Sequence, residues 1–453
     1  MTEAVFSADP IRLVISAIVG IAILLLLIIK FKLHPVLSLL ISALVIGVGS
    51  GMPVTQLMDT VEYGAGNTLQ GIVLLIGLGS MFGGILEVSG GAQSVAQTMI
   101  NKFGEKKAGW ALGITGLIVG TTVFFEAGVV ILIPLAFGLA KKTKKSTLTF
   151  IIPLLAGLAS GFAFIPPSAG SVLVANMLGV NLGIMIAVGV PVGIIAVIVG
   201  GIIWGRFCEK KIYAELPSNM REIQDTSLDK KLPPFGLVFV IILIPLVLIL
   251  MSTISNYIPM PSAVKSVFEF FGEPFVALII ATLVGMFFLG KKQGYSGEDL
   301  KKILDRALKP TGMILLVITG GGIIRWVLQN AGMGDIIGPA LEKSGLPLIL
   351  VAFLIAGLIR TSVGAAVVSM TMTAGIMASM PAVQALPPLQ LAAMVCAING
   401  GATAFSHVND SGFWLVGSLL EIDEKTTLKS WTVMETIIGL VGLVCALAIS
   451  LFA

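Results

Sequence analysis

AGWALGITGLIVGTTVFFEAGVVILIPLAFGLA, residues 108–140, is the stretch on which the fold turns. It is apolar almost throughout, yet Lys102, Lys106 and Lys107 precede it and Lys141, Lys142, Lys144 and Lys145 follow it. Under the positive-inside rule both clusters face the cytoplasm. Only 33 residues separate them, whereas two full crossings need roughly 40 residues plus a turn. The run therefore reads as a re-entrant hairpin that enters from inside and turns back near "TTVFFEAG", residues 121–128. Backbone of that kind is tolerated only where it is buried in protein or lines a cavity. The tip thus marks the neighbourhood of a functional site.

The rest of the 453-residue chain agrees with a bilayer setting. It is 56% hydrophobic and only 11% charged, with a mean hydropathy of +1.04. Several separate apolar runs are each long enough to cross a hydrocarbon core of about 30 Å. No soluble core buries that much apolar surface, and the alternating short segments of a membrane barrel are missing. The first apolar run, residues 13–29, lacks a basic leader and reads as a retained span, not a signal peptide. Further basic clusters occur at Lys30 and Lys32, at Arg206, Lys210 and Lys211, and at Lys291, Lys292, Lys301 and Lys302. All belong inside, while the loop 53–68, with Asp59 and Glu62 and no Lys or Arg, belongs outside. The net charge of +4 is then a topology signal and gives no reason to invoke nucleic acid.

A second hairpin-length run, residues 346–380, is bounded by loops poor in Lys and Arg, so it enters from outside. Its tip reads "IRTSVGAA", residues 359–366. Downstream of each hairpin lies a long apolar run broken in its middle: "FIPPSAGS" (164–171) in one case, "FSHVNDSG" (405–412) in the other. Tips and breaks each recur about 240 residues apart, and "LEVSGG" (86–91) has a counterpart at that offset in "LQNAGM" (328–333). The expected fold is an all-α polytopic membrane protein of two inverted-topology repeats. Each has about five spans, a re-entrant hairpin and a broken helix. Residues 1–206 form the first repeat, 207–234 a cytoplasmic linker and 235–453 the second repeat. In such proteins the substrate site lies at the midplane, where half-helix N-termini present free N–H groups to an anion.

Four motifs carry a family likeness: "IGLGSMFGGILEVSGGAQ" (76–93), "FFEAGVVILIPLAF" (124–137), "SHVNDSGFW" (406–414) and "LKSWTVMETI" (428–437). Together they resemble the gluconate permease family of proton-linked symporters, within the larger ion-transporter superfamily. The likeness covers nearly the whole chain. It implies uptake of gluconate or a related small hydroxy-carboxylate with protons, an inner-membrane location, opposed re-entrant hairpins and a homodimer. Two places depart from the family pattern. Where the family often has Pro-Pro-His-Pro, this chain has Pro166, Pro167, Ser168 and Ala169; where the second hairpin commonly reads Gly-Ser-Ala-Thr, residues 364–368 read "GAAVV". A pocket with fewer hydroxyls and no histidine suits a shorter or less hydroxylated acid than gluconate.

Charged groups in the hydrocarbon zone cost about 2.5–3.5 kcal/mol each on insertion scales, so each needs a partner or a purpose. Arg360 is the best anion clamp in the chain, because a guanidinium grips a carboxylate through two parallel hydrogen bonds. The alternative is a permanent ion pair with Asp410 or Glu126. Those two carboxylates are the candidate proton carriers, with His407 able to donate to Asp410; the plainer reading makes them structural braces for the turns. Ser168, Ser171, Asn409, Thr121 and Thr122 are candidate substrate-reading groups, as is Asn176, although such residues also serve as interhelical glue. Arg325 beside Trp326 reads as an interfacial snorkeler and Glu87 as a solvated carboxylate at a span end. Cys208, Cys396 and Cys445 share no spacing and read as apolar fillers, and no metal site or cofactor motif occurs. With two histidines and no catalytic constellation, an integral-membrane enzyme is disfavoured against a carrier. A channel would not need two opposed hairpins. Sodium coupling is the nearer alternative to protons.

Overall fold

Two helices joined by a tight turn occupy the decisive stretch in the computed structural model, which describes residues 6, 8–70, 73–217, 232–256, 258–333, 336, 346–408 and 410–452. They are α6 (Ala108–Gly120) and α7 (Phe125–Thr143). At 1.5 Å per residue, 13-residue α6 is about 20 Å long and cannot cross a 30 Å core. Glu105, just before α6, pairs with Lys142, near the end of α7, at 2.7 Å. The two ends of the hairpin are therefore side by side, as re-entry from one face requires.

Ahead of the hairpin come α1 (Pro10–Ile29), α2 (Pro35–Ser50), α3 (Val54–Gln70), α4 (Val73–Val88) and α5 (Gly91–Phe103). After it come α8 (Leu148–Phe164), α9 (Ala169–Met177) and the long α10 (Leu182–Lys211). The second half runs α11 (Phe235–Ser255), α12 (Ser262–Gly272), α13 (Pro274–Gln293) and α14 (Gly297–Asn330). A second hairpin follows, α15 (Leu348–Val363) and α16 (Ala366–Ala378), then α17 (Pro388–Thr403), α18 (Ser411–Leu420) and α19 (Glu424–Ser450). Among the described residues there is no strand. Among the described residues seven helices are long and apolar enough to span a membrane, and α3–α4, bent by 42°, makes an eighth if taken as one span. Counting 16-residue α2 and the broken α17–α18 as well gives the expected five crossings per half.

The repeat shows in the packing. α2 lies on α14 while α13 lies on α4, the exchange that a two-fold relation between halves demands. In both halves the first hairpin arm packs on the first part of the broken helix, α6 on α8 and α15 on α17. Each broken helix also packs on the last helix of its own half, α8 on α10 and α17 on α19. Membrane helices have no hydrophobic drive to associate, so such contacts rest on close backbone approach at small residues. A methyl group at Gly157 of α8 would lie 2.3 Å from the Gly113 carbonyl oxygen of α6, and one at Gly439 of α19 would lie 2.3 Å from the Gly400 oxygen of α17. Only glycine fits at these crossings.

Helix ends follow local chemistry. Ser296 and Asp299 form a reciprocal capping box at α14, and the Asn181 side chain caps α10. Pro134, Pro153, Pro191 and Pro245 lie inside helices, as membrane helices allow. α10 continues to Lys211, past residue 206, and α11 starts at Phe235. Most of the expected linker, residues 218–231, lies outside the described residues.

Candidate functional site

The second hairpin turns on Gly364, whose φ of 82° is in the left-handed region that glycine adopts without strain. The turn is closed twice: Gly364 N–H donates to the Arg360 carbonyl at 2.9 Å, and Arg360 Nη1 donates to the Gly364 carbonyl. Arg360 thus sits in the last turn of α15, where the negative end of the helix favours a cation. Its Nη2 donates to Asp410 Oδ2.

Asp410 stands at the start of α18 and caps it, Oδ1 accepting from the Gly412 N–H at 3.1 Å. Its Oδ2 also accepts from Ser406 Oγ, which in turn accepts from Trp431 Nε1 at 2.8 Å. A continuous polar chain therefore runs from α19 through the break to the tip of the second hairpin. All its members are buried: Arg360 is 3% exposed, Ser406 1%, Asp410 7% and Trp431 3%. Breaking a buried pair by removing one partner costs about 3–5 kcal/mol. Arg360 Nε has no hydrogen-bond partner.

Arg360, Asp410 and Trp431 wall a cavity of about 360 Å³. The first tip contributes Phe124, Phe125 and Glu126, and the second contributes residues 365–368. Asp410, Ser411 and Gly412 add the N-terminal turn of α18, while Met313, Ile314 and Val317 of α14 close one side. Both tips and the second break therefore converge as expected of opposed hairpins. A second cavity of about 600 Å³, lined also by Glu87 and Arg306, shares Phe124, Glu126, Met313 and Ile314 with the first.

Several expected residues lie elsewhere. Ser168 Oγ donates to the Phe162 carbonyl at 2.7 Å, lies 2.8 Å from Ser171 Oγ and accepts from Ser171 N–H. Both serines brace the first break, and Ser168 lines a small cleft with Thr122 and Ser80 that adjoins the Arg360 cavity at Phe124 and Phe162. Thr121 and Thr122 hydroxyls donate to the Ile118 and Val119 carbonyls at 2.8 and 3.2 Å, closing the end of α6. The His407 ring does not meet Asp410: its Nε2 lies 3.0 Å from the Thr361 carbonyl, which can only accept, so that nitrogen carries the hydrogen there. Glu126 is exposed to the cavity instead of buried, in the first turn of α7 where the helix dipole favours a carboxylate. Arg325 is half-buried, 5.5 Å from the Trp326 ring centre, and Glu87 is also half-buried. Asn409 lies outside the described residues.

One cavity residue was missed. Glu435 of α19 is only 4% exposed and its Oε1 has no hydrogen-bond partner. It follows Trp431 by four positions, so both side chains lie on the helix face turned to the cavity. The available signal was a lone carboxylate in the apolar stretch 433–450. Among the described residues no group of three or more His, Cys, Asp or Glu side chains is placed to hold a metal ion.

Comparison with known proteins agrees with this architecture. In fold, the chain is similar to MtrF of Neisseria gonorrhoeae (TM-score 0.62, 16% identity, covering 87% of this chain and 84% of that one). It is likewise similar to the YdaH transporter of Alcanivorax borkumensis (TM-score 0.61, 16% identity, 88% and 90% covered). In sequence it is 36% identical over 433 residues to the low-affinity gluconate transporter of Escherichia coli K12, covering 95% of this chain and 96% of that protein. It is 34% identical over 444 residues to the gluconate permease of Pseudomonas aeruginosa, 97% and 98% covered. With the L-idonate transporter of the Gnt-II system of E. coli K12 it shares 33% over 432 residues, 95% and 97% covered. The family model for GntP family permeases matches residues 12–452. A multi-pass helical membrane protein matched from end to end in this way belongs to the GntP permease family.

Proposed function

We propose that this permease is a secondary active carrier that takes up a small hydroxy-carboxylate of the gluconate and idonate class across the inner membrane, together with protons, by alternating access. The observation that supports this best is the cavity at the meeting of the two hairpin tips and the second break. It holds a fixed guanidinium, Arg360, and the N-terminal turn of a ten-residue half-helix, α18. Both favour a carboxylate. The relatives named for gluconate and L-idonate support sugar acids as the substrate class. Asp410 holds the guanidinium in place, and an acidic group of the cavity takes up the coupled proton. Rocking of one hairpin against the other exposes the cavity alternately to each side.

Purified protein in liposomes, given labelled D-gluconate, L-idonate and a panel of shorter hydroxy acids, tests the reading. Saturable uptake driven by an inward proton gradient, with counterflow when unlabelled substrate is loaded inside, is the expected result. Uptake that follows a sodium gradient and ignores pH would replace the proton by sodium. Failure of every anion in the panel would remove the reading. The homodimer that the family likeness implies is checked by light scattering of the purified protein, where a monomer mass would dismiss it.

A further inference from the structure

Three carboxylates border the Arg360 cavity, and they differ in how they are held. Asp410 is saturated: one oxygen takes two donors, Arg360 Nη2 and Ser406 Oγ, and the other takes the Gly412 N–H. Both of its oxygens are thus already engaged. Glu126 is exposed at the first tip. Glu435 is the exception, buried at 4% exposure with an unmatched Oε1, and within electrostatic reach of both Arg360 and Asp410.

We infer that Glu435 carries the proton that accompanies the substrate, being neutral when the anion is bound and ionised when the cavity is empty. The inference rests on the carrier reading above and names the group that the reading leaves open.

The charges decide it. Arg360 supplies one positive charge, and Asp410 already matches it. An ionised Glu435 leaves this buried trio at one net negative charge, and an incoming carboxylate would double it. Protonating Glu435 removes that repulsion and leaves the anion facing a neutral trio with the fork of Arg360 and the N-terminal N–H groups of α18. Among the described residues that line the cavity there is no cation besides Arg360. The elements packed against α19 are α8, α10, α15, α17 and α18's approach. α8 carries no titratable group, and α10 carries them only beyond its wide turn, from Arg206 on. α15 offers Arg360, α17 offers Cys396, and the break offers His407 and Asp410. On α19 itself Glu424, Lys425 and Lys429 lie at the exposed end and Cys445 lies deeper, while Glu126 faces the cavity from the opposite tip. Burying a second uncompensated negative charge beside the bound anion is costly.

The proton balance is simple. In the empty carrier open to the proton-rich side, a proton adds to Glu435 Oε1. Substrate then binds, the loaded form exposes the cavity to the other side, and substrate and proton leave together. By linkage, substrate affinity falls tenfold per pH unit over the range in which the empty carrier releases this proton.

The test measures D-gluconate binding to purified full-length protein from pH 5 to 9, and proton-gradient-driven accumulation against counterflow exchange in liposomes. In the parent, affinity weakens by up to tenfold per pH unit, and binding takes up one proton per gluconate, read by an indicator dye in weakly buffered solution. Glu435→Gln makes affinity independent of pH and abolishes dye-detected proton uptake. It also lowers accumulation relative to exchange by at least tenfold. Glu126→Gln keeps the pH dependence. If Glu435→Gln does not fold, Glu435→Asp replaces it, with a shifted pH midpoint as the expected result. A pH-dependent affinity that survives unchanged in Glu435→Gln or Glu435→Asp overturns the inference while leaving the carrier reading intact. So does a parent that accumulates gluconate without taking up protons on binding. A parent that neither binds nor transports any sugar acid overturns the carrier reading and this inference with it.

Discussion

Gly157→Ala probes the crossing of α8 with the first hairpin. The added methyl would lie 2.3 Å from the Gly113 carbonyl oxygen, 2.7 Å from the Leu117 nitrogen and 2.8 Å from the Gly116 Cα. All three are backbone atoms of α6, so no side chain can rotate out of the way. Restoring an ordinary contact of about 3.4 Å requires the helices to part by roughly 1 Å, in an interior packed as tightly as an organic crystal. Overpacking of this kind costs about 1–3 kcal/mol, and an unyielding backbone puts the value in the upper part of that range. The displacement does not stay local. α6 ends at Gly120, and the next residues, Thr121 to Phe124, form the tip that reaches the cavities. Gly138→Ala on the exposed side of α7 is the control, since a methyl there meets nothing within 4 Å. It should raise helix stability by up to about 1 kcal/mol. Thermal unfolding of the detergent-solubilised variants then gives midpoints displaced in opposite directions from the parent, and gluconate uptake falls in Gly157→Ala alone. A Gly157→Ala protein that unfolds at or above the temperature of Gly138→Ala would refute the packing argument.

Arg360→Lys keeps the charge but loses the planar fork that serves Gly364 and Asp410 together, and should weaken gluconate binding by about 1.5–3 kcal/mol; unchanged affinity by calorimetry would make Arg360 a structural brace only. Trp431→Phe keeps an aromatic ring 5.4 Å from Phe125 and removes the donor to Ser406. A loss of about 0.5–1.5 kcal/mol in unfolding free energy is expected, with no loss of folding, and an unaffected midpoint would mean the indole bond is idle. A lone cysteine introduced as Lys144→Cys should react with an impermeant reagent from the cytoplasmic side, and Asp59→Cys from outside. Labelling of the Lys144→Cys protein from outside would break the re-entrant assignment of residues 108–140.

The hairpins were legible because lysines on both sides of a short apolar run constrain where its ends lie, and Glu105 with Lys142 holds those ends together in the folded chain. Arg360 and Asp410 were legible because charge inside an apolar stretch demands compensation, and they compensate each other. What could not be read was direction. Ser168, Ser171, Thr121 and Thr122 carry hydroxyls that suit a sugar acid, yet their own backbone carbonyls are nearer and take the hydrogen bonds. His407 is three positions from Asp410, yet its ring turns to the Thr361 carbonyl. Glu435 escaped attention because one carboxylate in a long apolar run does not declare which face of the helix it occupies. Only the packing of α19 against α15 and α17 turns it inward.

The last helices of the two halves are fastened in a way that bears on how the molecule can move. α10 and α19 each contain a wide turn, Val197–Ile203 and Leu428–Thr432. Ser430 lies in the second of these, and its carbonyl accepts a hydrogen bond from Trp204 Nε1, just past the first, at 3.0 Å. One turn along, Gly200 sits so close to α19 that a methyl would lie 2.8 Å from the Ile438 side chain. Sliding α10 past α19 would strip the indole of its acceptor. In the proposed carrier these two helices would serve as the fixed hub, and the hairpin tips, with their short helices and glycine turn, as the parts that swing.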